Sequence, residues 1–150
     1  MIDRQHLARC HAEQEQRFAD THPHSAEMAA EARNSLLGGV PMAWMTRWPG
    51  SFPLFFDHAE GARFTDVDGH EYVDFCLGDT GAMTGHGLPQ VADALSRQAR
   101  RGITTMLPSA DAAWVGKELT RRFGLPAWQM AMTATDANRF VLRFARFLTG

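Results

Sequence analysis

The chain of 150 residues is long enough for one domain with a sizeable hydrophobic core, and its 45% apolar content is typical of a folded globular protein. A formal net charge of −2 gives no general attraction to nucleic acid or to an anionic membrane, and no apolar run is long enough to predict a transmembrane helix. The two distant cysteines, Cys10 and Cys76, favour a reducing, cytoplasmic setting over a disulfide framework, and the polar N-terminus lacks the features of a secretory signal.

Residues 1–33 predict a helical N-terminal extension. Residues 3–20 are rich in helix formers but weakly amphipathic, so we expect a surface helix that packs on a partner such as a second subunit. Ser25 is in position to cap a second helix over residues 26–33. We expect no metal site among the nearby ligand-type side chains, because no carboxylate or second cysteine accompanies them: Cys10, His11, His22 and His24.

Residues 42–50 predict an irregular segment that carries two tryptophans and an arginine. Bulky aromatic side chains and an arginine on a loop are typical of a substrate-pocket wall, which makes Trp44 and Arg47 candidates for substrate binding. Packing of the same side chains against the body of the domain explains them equally well, so both interpretations stay open.

The clearest β region lies between residues 54 and 75. Asp68-Gly69 separates two alternating strands and favours a tight hairpin, because such a turn needs positive φ. The segment 66–69 resembles part of a calcium loop. Phe64 and Phe75 stand where that loop needs oxygen ligands, so we exclude calcium.

A glycine-rich loop follows at residues 78–87, and it matches neither a P-loop nor a dinucleotide fingerprint. Its glycines allow either a close approach to a ligand or simple tight turns. The polar side chains of the loop are those of Asp79, Thr80 and His86, and we expect His86 to be structural.

Two helices follow this loop, each with recognisable boundary residues. Pro89 suits the first position of a helix that runs to about Arg101. Ser109 is placed to cap a helix that ends before Gly124. Residues 34–127 therefore form one predicted segment with β-hairpins and helices.

The last stretch combines a short apolar run with a helix start, so residues 128–150 predict the first strand–helix unit of an α/β domain. The run 128–132 predicts a buried strand, and a helix with one apolar face begins near Asp136. The unpaired N–H groups and dipole of a helix start favour an anion such as a phosphate, and Thr133 and Thr135 add hydroxyls. A plain N-cap by either threonine is the more common arrangement.

The order of five segments resembles the class III aminotransferases, and within them the glutamate-1-semialdehyde aminomutase-like branch. The resemblance covers residues 34–150 without a break, through Gly61–Gly69, Tyr72–Phe75, Thr84–Pro89, Thr133–Ala137 and Leu142–Gly150. It implies an α/β enzyme of fold type I that depends on pyridoxal 5′-phosphate (PLP). It also implies a homodimer that acts on two small molecules, an amino donor and an oxo acid.

The resemblance assigns the last helix start to the cofactor phosphate. The family's Ser-Gly-Thr-Glu-Ala sequence falls on residues 133–137, and its Gly-Thr pair binds the phosphate largely through backbone N–H groups. This implies Thr133, Ala134 and Thr135 as cofactor-binding residues. Alanine at position 134 keeps the N–H group and crowds the backbone slightly.

Two departures from the aminomutase concern the substrate. Ala43 stands where the aminomutase has an arginine for the substrate carboxylate, and Asp79 stands where it has a tryptophan. Arg47 is a candidate to replace the lost charge. The candidate substrate-binding residues are Trp44, Arg47 and Asp79. Because the two departures make the aminomutase reaction less suited to this chain, we expect a transaminase, and the 2,1-aminomutase reaction is the alternative.

No residue of the chain matches the lysine that PLP chemistry uses to hold the aldehyde and to move the Cα proton. In the family that lysine lies downstream of the position of Gly150, and Lys117, the single lysine, is expected to be a solvated helix charge. We therefore expect the N-terminal part of a longer transaminase, inactive alone and without a catalytic residue. The alternative is a non-catalytic remnant or a dimerisation module.

Overall fold

Helices supply most of the regular structure, and the computed structural model describes residues 3–150. The five helices are α1 (Arg4–Thr21), α2 (Pro23–Ala32), α3 (Pro89–Ala99), α4 (Ala110–Phe123) and α5 (Ala134–Thr149). Contacts divide the chain after Arg101, and the two units are described separately below. In the described part of the chain, no helix has both the length and the apolar character that membrane crossing requires.

The two N-terminal helices form as predicted, with one correction at a boundary. Asp3 caps α1, because its carboxylate accepts the N–H groups of the first turn. The second helix begins at Pro23 rather than after Ser25, since the fixed φ of proline suits the first helical position. Ser25 is instead fully buried inside α2, where its hydroxyl oxygen lies 3.4 Å from the Phe55 N–H nitrogen.

A three-stranded antiparallel sheet follows, in the order β1-β2-β3, with β1 at Phe56–Glu60, β2 at Arg63–Asp66 and β3 at Glu71–Val73. The predicted hairpin is confirmed: Gly69 has a φ of +88° between β2 and β3. The third strand stops before Asp74, because that carboxylate accepts the N–H groups of Cys76 and Leu77 and turns the chain.

The first unit also contains two short 3₁₀ turns, at Leu37–Gly39 and Ala43–Arg47. Its most buried apolar side chains are those of Ala29 on α2 and of Val40. Three polar residues share this buried region: His22, Ser25 and Asp66. The interior of the unit therefore joins α2 to the hairpin, and polar groups are central to it.

In the second unit, α4 begins after Ser109 and ends at Gly124, which has the left-handed conformation expected of a helix terminator. Ser109 occupies the predicted cap position, but its side chain makes no capping hydrogen bond. In the first unit, α3 likewise begins at Pro89 as predicted. Single boundary residues therefore located these helices correctly.

The buried strand predicted at residues 128–132 is wrong. This segment has no regular secondary structure and no strand pairing, and the side chains of Met130 and Met132 are 55% and 94% exposed. A strand exists only through hydrogen bonds with a neighbour, and the described residues of this unit provide no second strand. Trp128 instead packs on Phe123, with 5.6 Å between the ring centroids.

Helix α5 begins at Ala134, two residues before the predicted start, and its apolar face is present. The side chains of that face are 40% to 85% exposed: Phe140, Val141, Phe144, Phe147 and Leu148. Amphipathic periodicity therefore predicted the helix correctly, although the described part of this unit does not cover its apolar face.

Candidate functional site

The start of α5 is held by a side-chain cap. The hydroxyl oxygen of Thr133 accepts the N–H of Asp136 at 3.0 Å, and the hydroxyl donates to the Asp136 carboxylate at 3.0 Å. This reciprocal arrangement fixes the first turn of the helix. The structure therefore contains the N-cap that the sequence offered as one alternative, with Thr133 rather than Thr135 as the cap.

The cap leaves other donors of the same turn available. Ala134 and Thr135 are the first two residues of α5, both are exposed, and among the described contacts nothing accepts their N–H groups or the Thr135 hydroxyl. These donors and the positive end of the helix dipole suit a phosphate. One opposing feature is the nearby Asp136 carboxylate, whose oxygen lies 3.8 Å from a guanidinium nitrogen of Arg139. Capping and anion binding are thus compatible at this helix start.

The three substrate candidates lie on two separate segments. Trp44 and Arg47 belong to the 3₁₀ turn Ala43–Arg47, which is more regular than predicted, and Trp44 makes an edge contact with Trp48. Asp79 lies in the glycine-rich loop with a φ of +59° and accepts a hydrogen bond from the Cys76 thiol at 3.7 Å. No described contact joins Asp79 to the turn, so the structure does not bring these residues together.

The glycine-rich loop is closed at its base by a side-chain contact between a histidine and an aspartate. The Nε2 atom of His86 lies 2.7 Å from the carboxylate of Asp74, and the backbone of His86 exchanges two hydrogen bonds with Gly61. The hydrogen bond from the His86 side chain is the main cause that lowers the pKa of Asp74, and the hydrogen bonds from the N–H groups of Leu77 and Cys76 lower it further. His86 therefore has the structural role that its sequence context predicted.

Sequence reasoning missed a buried polar cluster centred on Asp66. This residue is 1% exposed, and its Oδ1 atom accepts the N–H groups of Asp68 and His70 at 3.0 and 2.8 Å. The Tyr72 hydroxyl donates to Oδ2 at 2.9 Å and lies 2.8 Å from Nε2 of His22. The cluster thereby connects the α1–α2 joint to the hairpin.

Two pKa values in this cluster are shifted. Burial raises the pKa of Asp66, but donation by the His70 N–H and by the Tyr72 hydroxyl outweighs burial and leaves it lowered. Burial first, and then the Asp66 carboxylate, raise the pKa of Tyr72 to about 12. The charged form of Asp66 and the neutral form of Tyr72 thus stabilise each other.

The second aspartate of the excluded calcium loop also has a definite partner. The Asp68 carboxylate accepts the N–H of His24 at 2.7 Å and the N–H of Ser25 at 3.0 Å, so it caps the start of α2. Both aspartates therefore bind backbone N–H groups. Local spacing signals the turn itself, but no local signal identifies a partner about forty residues away.

A sequence model of the family described as aminotransferase class-III matches residues 44–149. The chain is 35% identical to the glutamate-1-semialdehyde 2,1-aminomutase of Methanocella arvoryzae over 128 residues, which are 85% of this chain and 30% of that protein. This chain therefore spans less than a third of that relative.

Two solved structures are also similar to the chain. One is a glutamate-1-semialdehyde-aminomutase from Pseudomonas aeruginosa PAO1 in complex with PMP, at 54% identity and a TM-score of 0.92, over 99% of this chain and 33% of that one. The other is a β-phenylalanine aminotransferase from Variovorax paradoxus, at 26% identity and a TM-score of 0.88, over 96% of this chain and 33% of that one. The likeness thus extends to nearly all of the present chain.

Proposed function

Because the chain belongs to the class III aminotransferase family, we propose that it is the N-terminal part of a PLP-dependent transaminase that moves an amino group between an amino acid or amine and an oxo acid. Family membership confirms the resemblance and the fold-type I architecture predicted from the sequence. A homodimer in the cytoplasm, as the sequence predicted, completes the proposal.

The observation that carries the proposal is the set of free donors at the start of α5. We assign the N–H groups of Ala134 and Thr135 and the Thr135 hydroxyl to the cofactor phosphate, and Thr133 to holding that turn through its cap. A relative solved in complex with PMP, the amino form of this cofactor, supports the assignment. When bound, the cofactor supplies an electron sink for breaking a bond at the substrate α-carbon.

The chain's own residues contribute binding rather than proton transfer in this proposal. Lys117, the single lysine, is exposed on α4, and we propose only a solvated charge for it. We propose substrate contacts for Trp44, Arg47 and Asp79. The guanidinium of Arg47 is suited to binding a substrate carboxylate. The proposed division of the chain is an N-terminal extension at residues 1–33, a small-domain segment at residues 34–127 and the start of the large domain at residues 128–150.

The anchor is tested by Thr135→Phe in the full-length protein, with PLP affinity measured by equilibrium dialysis. Loss of the hydroxyl and crowding of the adjacent N–H groups are expected to weaken binding about tenfold or more, since one hydrogen bond to a charged group contributes about 1.5–3 kcal/mol. Thr149→Phe, at the other end of α5, is the matched control and should leave affinity unchanged. Equal affinities of the two variants would remove the anchor assignment.

A 2,1-aminomutase is the second candidate, favoured by the names of relatives at 35% and 54% identity. Against it stand Ala43 and Asp79, at positions where the aminomutase has an arginine and a tryptophan. Incubation of the full-length enzyme with glutamate-1-semialdehyde alone, and separately with an amine and an oxo acid, distinguishes the two. We expect product only in the second mixture; product only in the first would replace the transaminase by the aminomutase.

The remaining alternative, a non-catalytic remnant or dimerisation module, predicts a stop codon directly after codon 150. The proposed transaminase predicts instead that the reading frame continues into a segment with the cofactor-binding lysine. Sequencing the DNA beyond this codon decides between them. The purified protein offers a second readout: a stable oligomer without the absorbance of a PLP–lysine adduct would favour the remnant.

A further inference from the structure

A cluster of ligand-type side chains lies in the first unit, apart from the α5 start in sequence. His22 lies between α1 and α2, and Asp66 and His70 flank the hairpin turn. The Asp66 Oδ2 atom lies 3.5 Å from Nε2 of His22 and 3.3 Å from Nδ1 of His70. The three donor atoms all lie within 4.8 Å of one another. Ligands bound about 2.0–2.2 Å from a tetrahedral zinc ion are separated by about 3.3–3.6 Å. Both measured separations match edges of that tetrahedron.

The donor atoms are also oriented by neighbours. Nδ1 of His22 lies 2.7 Å from the Phe18 carbonyl oxygen. Because a carbonyl can only accept, Nδ1 carries the hydrogen, and in the neutral ring Nε2 keeps its lone pair. The other oxygen of Asp66 is held by the N–H groups of Asp68 and His70. Outer contacts of this kind fix the direction of metal ligands in known sites.

The candidate ligands are already gathered around one oxygen atom of Asp66. The Tyr72 hydroxyl lies 2.8 Å from His22 Nε2 and 2.9 Å from Asp66 Oδ2, and Nδ1 of His70 lies 3.3 Å from that oxygen. His22 and Asp66 are buried, at 7% and 1% exposure, so packing holds both residues in place. A metal ion would therefore meet ligands that the fold already holds close to one another.

We propose that His22, Asp66 and His70 bind one zinc ion that fastens the α1–α2 joint to the β2–β3 hairpin. Two imidazoles and a carboxylate without a thiolate are a donor set that zinc accepts. The His70 side chain is 41% exposed, so it provides a path from solvent and room for water as a fourth ligand. The ligands come from segments more than forty residues apart, so the ion would act as a cross-link in the fold.

The experiment is a calorimetric titration of zinc chloride into the purified, untagged protein after chelator treatment. His70→Ala removes an exposed ligand, and His24→Ala is the matched control, because His24 is exposed and lies outside the cluster. We expect one zinc ion per chain for the wild type and the control, and about tenfold or greater weakening for His70→Ala. Cobalt(II) should give the visible bands of tetrahedral coordination in the wild type and the control only.

A second measurement separates binding from misfolding. Zinc should raise the midpoint of thermal unfolding of the wild type and of His24→Ala, and should leave that of His70→Ala unchanged. His70→Asn, which keeps a polar side chain at the position, must behave like His70→Ala. Equal zinc affinity in His70→Ala and His24→Ala, or no stoichiometric binding by the wild type, would overturn the site.

Discussion

Replacing Tyr72 with phenylalanine removes one hydroxyl and keeps the ring, which stacks on Phe64 with 4.8 Å between centroids. The hydroxyl donates to Asp66 at 2.9 Å, and Asp66 is 1% exposed, so water does not take its place. Losing a hydrogen bond to a buried charged group costs about 1.5–3 kcal/mol. We expect the free energy of unfolding to fall by that amount in Tyr72→Phe.

Urea denaturation followed by circular dichroism measures this change. Thr80→Val is the control, because Thr80 is exposed and its hydroxyl makes no contact among the described residues; its effect should stay within about 0.5 kcal/mol. A similarly small effect of Tyr72→Phe would mean that water reaches Asp66, and that the cluster does not hold the hairpin to the helices.

The same residue makes a pH prediction. Burial, and then Asp66, raise the pKa of Tyr72 to about 12 from its ordinary value of 10.0. The raised pKa contributes stability that is present below pH 10.0 and is lost as the pH rises towards 12. The difference between the two pKa values corresponds to at most about 3 kcal/mol in the free energy of unfolding. Tyr72 is the only tyrosine in this sequence, so the absorbance of the chelator-treated protein follows its ionisation directly. A midpoint near 10.0, or an equal loss of alkaline stability in Tyr72→Phe, would refute the reasoning.

Three further changes test the fold. Thr133→Ala removes the cap of α5 and should cost about 1 kcal/mol in denaturant titration, whereas Thr133→Ser should cost little; equal losses would contradict the capping role. Gly39→Ala should cost more than about 1 kcal/mol in the same assay, because φ is +71° and a Cβ would lie 2.9 Å from Arg33 Cγ; no loss would mean that the backbone relaxes. The lowered pKa of Asp74 contributes stability that is present above pH 3.8 and is lost as the pH falls. Acid unfolding of His86→Ala should therefore depend less on pH than that of the wild type. Identical pH profiles would argue against the contact between His86 and Asp74.

Elements with local causes could be predicted from the sequence. Asp68-Gly69 located the hairpin because positive φ is a requirement of single residues, and Gly124 located the end of α4 for the same reason. The run 128–132 gave the wrong result, because apolar character indicates that a strand would be buried but not which strand pairs with it. The described neighbours of that run are helices α4 and α5.

The candidate sites divide in the same way. The cap and the free donors at the start of α5 lie within three residues of each other, so a local pattern was enough to predict them. The contact between His22 and Tyr72 spans fifty residues, and no spacing rule in one sequence relates two such positions. The resemblance to a family implied a phosphate role for this helix start but said nothing about the Asp66 cluster.

The two aspartates of the hairpin turn show why rejecting calcium left their role open. Both offer oxygen atoms, as a calcium loop would, but four backbone N–H groups already bind them, two from the turn itself and two from the start of α2. Asp68 thus supplies the helix cap that the sequence assigned to Ser25, from more than forty residues away. The N-terminal helices are therefore positioned by the hairpin, and Asp66 Oδ2 is the oxygen that remains for Tyr72 and the two imidazoles. A turn motif that looks like an incomplete metal loop is, in this fold, the junction between two segments of the chain.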